Sequence, residues 1–171
     1  DTALHFPDFR AAERTFQLVT QVAGRTGRGS RGGQVLVQTL SPDAPAIVAA
    51  VQHDLSAFAR EELPHREALG YPPYSSMVRI VIRGASQTAS HTLAEELARR
   101  LRERAKAQSE AVRVLGPSTA PMAKLRNEYR YQVQLHSVNG ESLRQMVRAA
   151  AVDLKTPDGV FWIVDVDPLD M

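Results

Sequence analysis

Between residues 75 and 166 the hydrophobic spacing switches repeatedly between a period of two and a period near 3.6, and few folds accommodate that order. Residues 76–83 alternate, with Met77, Val78, Ile80 and Ile82 apolar and Arg79 and Arg83 polar, which predicts a strand. Ser86 precedes a long helical pattern over 87–106, in which Ala89, Leu93, Leu97 and Leu101 recur every fourth residue beside Ala94, Ala98 and Ala105. A short strand follows at 112–115, ended by Gly116-Pro117. Residues 128–136 alternate again, setting Tyr129, Tyr131, Val133 and Leu135 against Arg130, Gln132, Gln134 and His136. Asn139 or Ser142 opens a second helix with Leu143, Met146, Val147, Ala150, Ala151 and Leu154 inward, and Pro157-Asp158-Gly159 turns into a last strand at 160–166.

Strand, helix, strand, strand, helix, strand is the split βαβ, ferredoxin-like plan. It predicts an α+β domain over 75–171, with a four-stranded antiparallel sheet and both helices on one face. The outer face of the first helix mixes Arg99, Arg100, Arg102, Arg104 and Lys106 with Glu95, Glu96 and Glu103. Such a mixture reads as a solvated face with pairs one turn apart, and nucleic-acid contact is the competing reading.

Tyr71-Pro72-Pro73-Tyr74 marks a boundary, because two prolines fix an extended backbone that two tyrosines can anchor. Ahead of it, residues 1–70 follow an α/β pattern. Asp8 is placed to cap a helix over 11–22 whose apolar face is Ala12, Thr15, Phe16, Val19 and Val22, with Glu13 and Arg14 on the solvated side. Residues 34–40 read as a strand buried on both faces. Residues 46–60 read as one helix carrying Ile47, Val48, Val51, Leu55 and Phe58, bent or stopped near Pro64 and continued to Gly70.

Between that first helix and the strand lies Gln21-Val22-Ala23-Gly24-Arg25-Thr26-Gly27-Arg28. Two arginines three apart can converge on one phosphate, since each guanidinium matches phosphate oxygens in pairs. Gly24 and Gly27 remove side chains that would block a nucleotide from the backbone. The competing reading is a solvated basic loop between two elements.

Of the 171 residues, 43% are hydrophobic and 23% charged, which is ordinary for a globular protein. The net charge of +2 is too mild to demand a polyanionic partner. The absence of cysteine excludes disulfides and thiolate metal sites. His5, His53, His65, His91 and His136 are scattered, without metal-ligand spacing. Asp165, Asp167 and Asp170 read as a terminal cap in preference to a metal site, so no metal site is expected. No apolar run reaches membrane-spanning length.

Gln21-x-x-Gly24-Arg25-x-Gly27-Arg28 resembles motif VI of superfamily-2 helicases. Together with residues 4–14, Tyr71-Pro72-Pro73-Tyr74, Tyr129-Arg130-Tyr131 and Asp165-Val166-Asp167-Pro168, in that order, nearly the whole chain resembles the PriA family of replication-restart helicases. The resemblance implies that residues 1–70 are the C-terminal part of a RecA-like helicase lobe, 71–74 a linker and 75–171 the family's C-terminal domain. It implies that Arg25 and Arg28 act as arginine fingers on the γ-phosphate of ATP, with Gln21, Gly24 and Gly27 completing the nucleotide contact and Mg2+ as companion. The chain has no GxxxxGK[ST] loop and no acidic Walker B box, so those roles belong to a longer protein, and this chain alone is expected to be inactive and to bind no cofactor. The family's zinc-binding cysteine module lies upstream of the matched region.

The same resemblance implies a cytoplasmic, nucleoid-associated protein that engages forked and single-stranded DNA, other primosome proteins and the acidic tail of single-stranded DNA-binding protein, with ATP-driven 3′-5′ unwinding in the intact molecule. Lys124, Arg126 and Arg130 are the DNA candidates, with Tyr129 or Tyr131 as stacking rings. Against this stands a reading in which both tyrosines face the core. Arg144, Gln145 and Arg148 are the candidates for the protein tail, which needs a cation beside an apolar pocket. Two alternatives remain: a DNA- and protein-binding scaffold whose parent lacks ATPase activity, and an RNA-binding domain of ferredoxin-like plan.

Overall fold

The computed structural model describes residues 1–25, 34–108 and 111–169. They form two compact units, residues 1–69 and 70–169. The chain is mixed helix and strand, with one four-stranded antiparallel sheet among the described residues.

The second unit runs β1 (Ser76–Gly84), α4 (Gln87–Lys106), β2 (Arg113–Leu125), β3 (Glu128–Ser137), α5 (Gly140–Ala151) and β4 (Val160–Val166), where α1 to α3 are the helices of the first unit. The sheet order is β2-β3-β1-β4, so β1 and β3 are central and β2 and β4 are edges. Alternation sends Val78, Ile80, Ile82, Tyr131, Val133 and Leu135 to one face, where they pack against Leu93, Leu97 and Leu101 of α4 and Leu143, Met146 and Val147 of α5. Each such side chain, fully buried, contributes roughly 1.5–3 kcal/mol. Ser86 caps α4 by accepting from Ala89 N at 3.3 Å. Asn139 caps α5 by accepting from the N–H groups of Glu141 and Ser142, both at 3.1 Å. Arg100 reaches from α4 to the carbonyls of Ala150 and Val152, at 3.4 and 2.9 Å, and so closes the C-terminal end of α5.

Gly84 lets α4 and the turn before β4 approach the end of β1, since a Cβ there would stand 2.8 Å from Ser90 Oγ and 2.9 Å from the Gly159 carbonyl. Reciprocal bonds close the other end: Asp167 N donates to the Met77 carbonyl at 2.7 Å, and Met77 N donates to Asp167 Oδ1 at 2.9 Å.

One boundary in this unit differs from expectation. β2 continues through residues 118–125, beyond the short strand expected at 112–115. Gly116-Pro117 reads as the end of the strand in the sequence, but an edge strand tolerates a proline, which lacks an N–H donor, and Pro121 is accommodated in the same way. The pairing with β3 shifts register between Leu115 and Ser118 and again between Thr119 and Lys124.

The first unit holds α1 (Ala11–Ala23), α2 (Pro45–Val51) and α3 (Leu55–Leu69). Phe16 and Phe58 stack at 4.8 Å over Ala46, Ala49 and Ala50. The strand expected at 34–40 is absent: those residues pair with no strand among the described residues, and Leu36 and Leu40 are more than 90% exposed. A strand buried on both faces needs neighbours, and the described part of this unit supplies none. The single helix expected at 46–60 breaks at His53, whose φ is 53°, and Asp54 restarts it by accepting from Ala57 N at 2.8 Å. Val48, Val51 and Leu55, expected inside, are therefore exposed, as is Val22 of α1.

Glu13 and Arg14 do not form a solvated face. Glu13 pairs with the buried Arg66 at 2.9 Å, and Arg14 pairs with Asp8 at 2.8 Å. Burial opposes the charge on Arg66, but bonds to Glu13 and Glu62 outweigh it and raise its pKa. Asp8 accepts from Arg10 N at 2.9 Å, one residue short of the helix, so it orders the entry and does not cap α1.

Candidate nucleic-acid interface

The candidate residues fall on three separate surfaces. The first is the C-terminal end of α1. Gln21 and Arg25 are exposed there, and Gly24 is the helix C-cap at φ −68°. Gly27 and Arg28 lie outside the described residues. A helix C-terminus presents carbonyls and the negative pole of the dipole, so this end repels phosphate and does not cradle it. Among the described residues of this motif, Arg25 alone offers a phosphate a cation, and it would have to reach a nucleotide held by other groups.

The second surface is built on the β2–β3 hairpin and the sheet face away from the helices. Arg126 and Asn127 turn the chain with φ of 50° and 65°, a two-residue left-handed turn that suits the twist of the flanking strands. The alternation of β3 then divides the DNA candidates. Tyr129 and Tyr131 point to the helix side. Tyr131 is buried with His91 edge-on at 5.1 Å, and the half-buried Tyr129 carries Lys124 Nζ 4.8 Å above its ring. Neither tyrosine shares a face with Arg130. Arg130 points to the open side and lines a concavity of about 380 Å³ with Arg126, Arg79, Arg83, Glu128 and Asp165. The structure thus brings Arg126 and Arg130 together and sets Lys124 and Tyr129 apart.

Four arginines and two carboxylates face that concavity. Arg83 donates to Glu128 at 2.8 Å and Arg79 to Asp165 at 2.9 Å. The Nε atoms of both Arg79 and Arg83 are buried without a hydrogen-bond partner. Phe161 of β4, directly opposite Arg83 and 55% exposed, offers a ring with the Arg83 guanidinium 5.7 Å from its centre. Arg79 and Arg83 are legible as polar-side residues of their strand, and Phe161 carries no such signal; the convergence of the three depends on a pairing register that one strand's alternation does not specify. Asp165 and Asp167 are used by Arg79 and Met77, Asp170 lies outside the described residues, and no metal-holding group of side chains occurs among the described residues.

The third surface is a groove of about 280 Å³ between α5 and β4. Val78, Val147, Trp162, Val164 and Val166 make it apolar, and Arg144 and Arg148 stand at its rim. Arg144 is held by Glu141 through bonds of 3.0 and 2.6 Å, and this pairing keeps the Glu141 carboxyl below its ordinary pKa. Gln145 bonds to the same Glu141 at 3.2 Å and does not line the groove. On α4, Arg99 and Arg100 hold the Glu96 carboxyl at about 2, so much of the basic charge of that helix is internally paired.

The family model for the primosomal protein N C-terminal domain matches residues 67–169. The chain belongs to the PriA family. Both surfaces of the second unit lie inside the matched PriA region. Curated relatives extend the similarity across the first unit as well. The replication restart protein PriA of Treponema pallidum is 38% identical over 171 residues, covering 100% of this chain and 26% of that protein. The PriA of Synechocystis is 33% identical over 171 residues, covering 100% of this chain and 20% of that protein. The PriA of Bacillus subtilis is 39% identical over 132 residues, covering 77% of this chain and 16% of that protein. The chain thus spans between about a sixth and about a quarter of these relatives' length.

Proposed function

We propose that this chain serves DNA replication restart, and that its second unit, read as a ferredoxin-like domain, binds branched or single-stranded DNA. The observation that carries the reading is the convergence of Arg126 and Arg130 with Arg79 and Arg83 on one open sheet face of a PriA-family domain. Guanidinium groups on a concave face hold backbone phosphates and release their counterions. The first unit is read as the end of a RecA-like lobe, with Arg25 and Arg28 contributing to ATP and Mg2+ chemistry once a phosphate cradle is supplied by the rest of a PriA protein. ATP-driven 3′-5′ unwinding belongs to that whole, in the cytoplasm and on the nucleoid.

Fluorescence anisotropy of a labelled DNA fork tests the reading. Binding is expected to weaken with salt, and Arg126→Ala with Arg130→Ala should flatten the log–log salt slope by about 1.4 on a single-stranded arm. No binding at low salt removes DNA contact from this chain.

The α5–β4 groove favours a second role in the same process. An apolar cleft rimmed by Arg144 and Arg148 suits an acidic peptide ending in apolar residues, such as the tail of single-stranded DNA-binding protein.

A further inference from the structure

We infer that the open sheet face takes a single-stranded segment of DNA, with a base on the Phe161 ring and the backbone along the arginines, and that Glu128 and Asp165 occupy those arginines until phosphate displaces them. This rests on the DNA-binding reading above and narrows it to one strand form and one set of contacts.

Charge placement comes first. Arg83 and Arg130 are direct cross-strand partners on the same face, an arrangement that repels. A self-sufficient fold gains nothing from it. Glu128 lies next to the turn and pairs only with Arg83 among the described arginines, so one cation of the opposed pair lacks a carboxylate of its own. A phosphate between the two strands satisfies both. The buried, unpartnered Nε–H groups of Arg79 and Arg83 add donors on the same face.

The ring decides the strand form. Phe161 is exposed on a paired strand, beside Arg83 and in line with Ile163, so it presents an apolar ring next to cations. Stacking on such a ring requires a base free of its own neighbours, which a duplex does not offer and a single strand does.

The carboxylates give the inference its sharpest consequence. Glu128→Gln frees Arg83 and removes a charge that repels phosphate, so affinity rises.

The test uses this chain with fluorescein-labelled oligothymidine, a hairpin duplex and oligouridine, at fixed low salt. Phe161→Ala is expected to weaken oligothymidine binding about tenfold, within the range for loss of one stacked base, and to leave duplex affinity within about twofold. Phe161→Tyr keeps the ring and should keep the affinity. Glu128→Gln should tighten oligothymidine binding several-fold, and it disturbs no core contact. If wild-type protein binds DNA but Phe161→Ala is silent, or acts equally on duplex, the inference fails while the DNA-binding reading stands. Weaker binding by Glu128→Gln overturns the displacement by phosphate. Tighter binding of oligouridine than of oligothymidine overturns the assignment to DNA. Absence of binding to every probe overturns both the inference and the reading it rests on.

Discussion

Arg83 and Arg130 stand directly opposite one another on adjacent antiparallel strands, both on the face of the sheet away from α4 and α5. Like charges so placed destabilise a sheet by roughly 0.2–1 kcal/mol. Arg130→Gln should therefore raise the unfolding free energy by about that amount while weakening DNA binding. Urea titration with anisotropy on the same variant measures both. A variant that loses stability and keeps its DNA affinity would show Arg130 to be a structural residue.

Gly84 is fixed by space. An alanine methyl group there meets Ser90 Oγ and the Gly159 carbonyl inside 3.0 Å, and the second of these is backbone. Gly84→Ala should cost about 1–3 kcal/mol, as overpacking does. Thermal unfolding of the variant checks it, and an unchanged midpoint would mean that the turn at Gly159 yields.

His136 makes stability depend on pH. Burial, helped by the nearby charge of Arg113, lowers its pKa below 6.5. The unfolded chain then takes up this proton first as pH falls. The contribution is complete above pH 6.5 and is lost as the pH drops from 6.5 toward the lowered folded value, below which this residue adds no further loss. Urea midpoints measured across that window should fall in the wild type and fall less in His136→Gln. Parallel profiles for the two proteins would assign the slope to other groups.

Trp162 is the sole tryptophan of the chain, and it lines the groove between α5 and β4. Its emission therefore reports directly on occupancy. An acidic peptide with an apolar C-terminus should shift that emission saturably, and Arg148→Ala should weaken the peptide about tenfold, the scale of one lost charge-assisted bond. A signal that is insensitive to Arg148 and to salt would point to non-specific adsorption.

The second unit was more legible in the sequence than the first. Periodicity placed β1, α4, β3, α5 and β4 because each buries one face against the others, so local pattern and tertiary packing agree. It lost the second half of β2, where prolines obey a rule for edges that a single strand does not reveal. In the first unit the pattern at 34–40 suggested burial, yet burial depends on neighbouring strands that the described residues do not include. The candidate site was half legible. Arg126 and Arg130 are legible as candidates and do converge, and the alternation of β3 already sets Tyr129 and Tyr131 on the opposite face from Arg130, the side on which the core forms. The role open to Phe161 emerged only once β4 was paired to β1.

The two borders of the sheet differ in kind. β2 is interrupted by two register shifts and carries Pro117 and Pro121, so an incoming chain finds no continuous run of donors and acceptors there. β4 is regular over seven residues, and Phe161, Ile163, Val164 and Val166 along it are exposed. Regularity of pairing is thus confined to one border: β4 keeps an unbroken register with β1, while β2 loses its register with β3 twice.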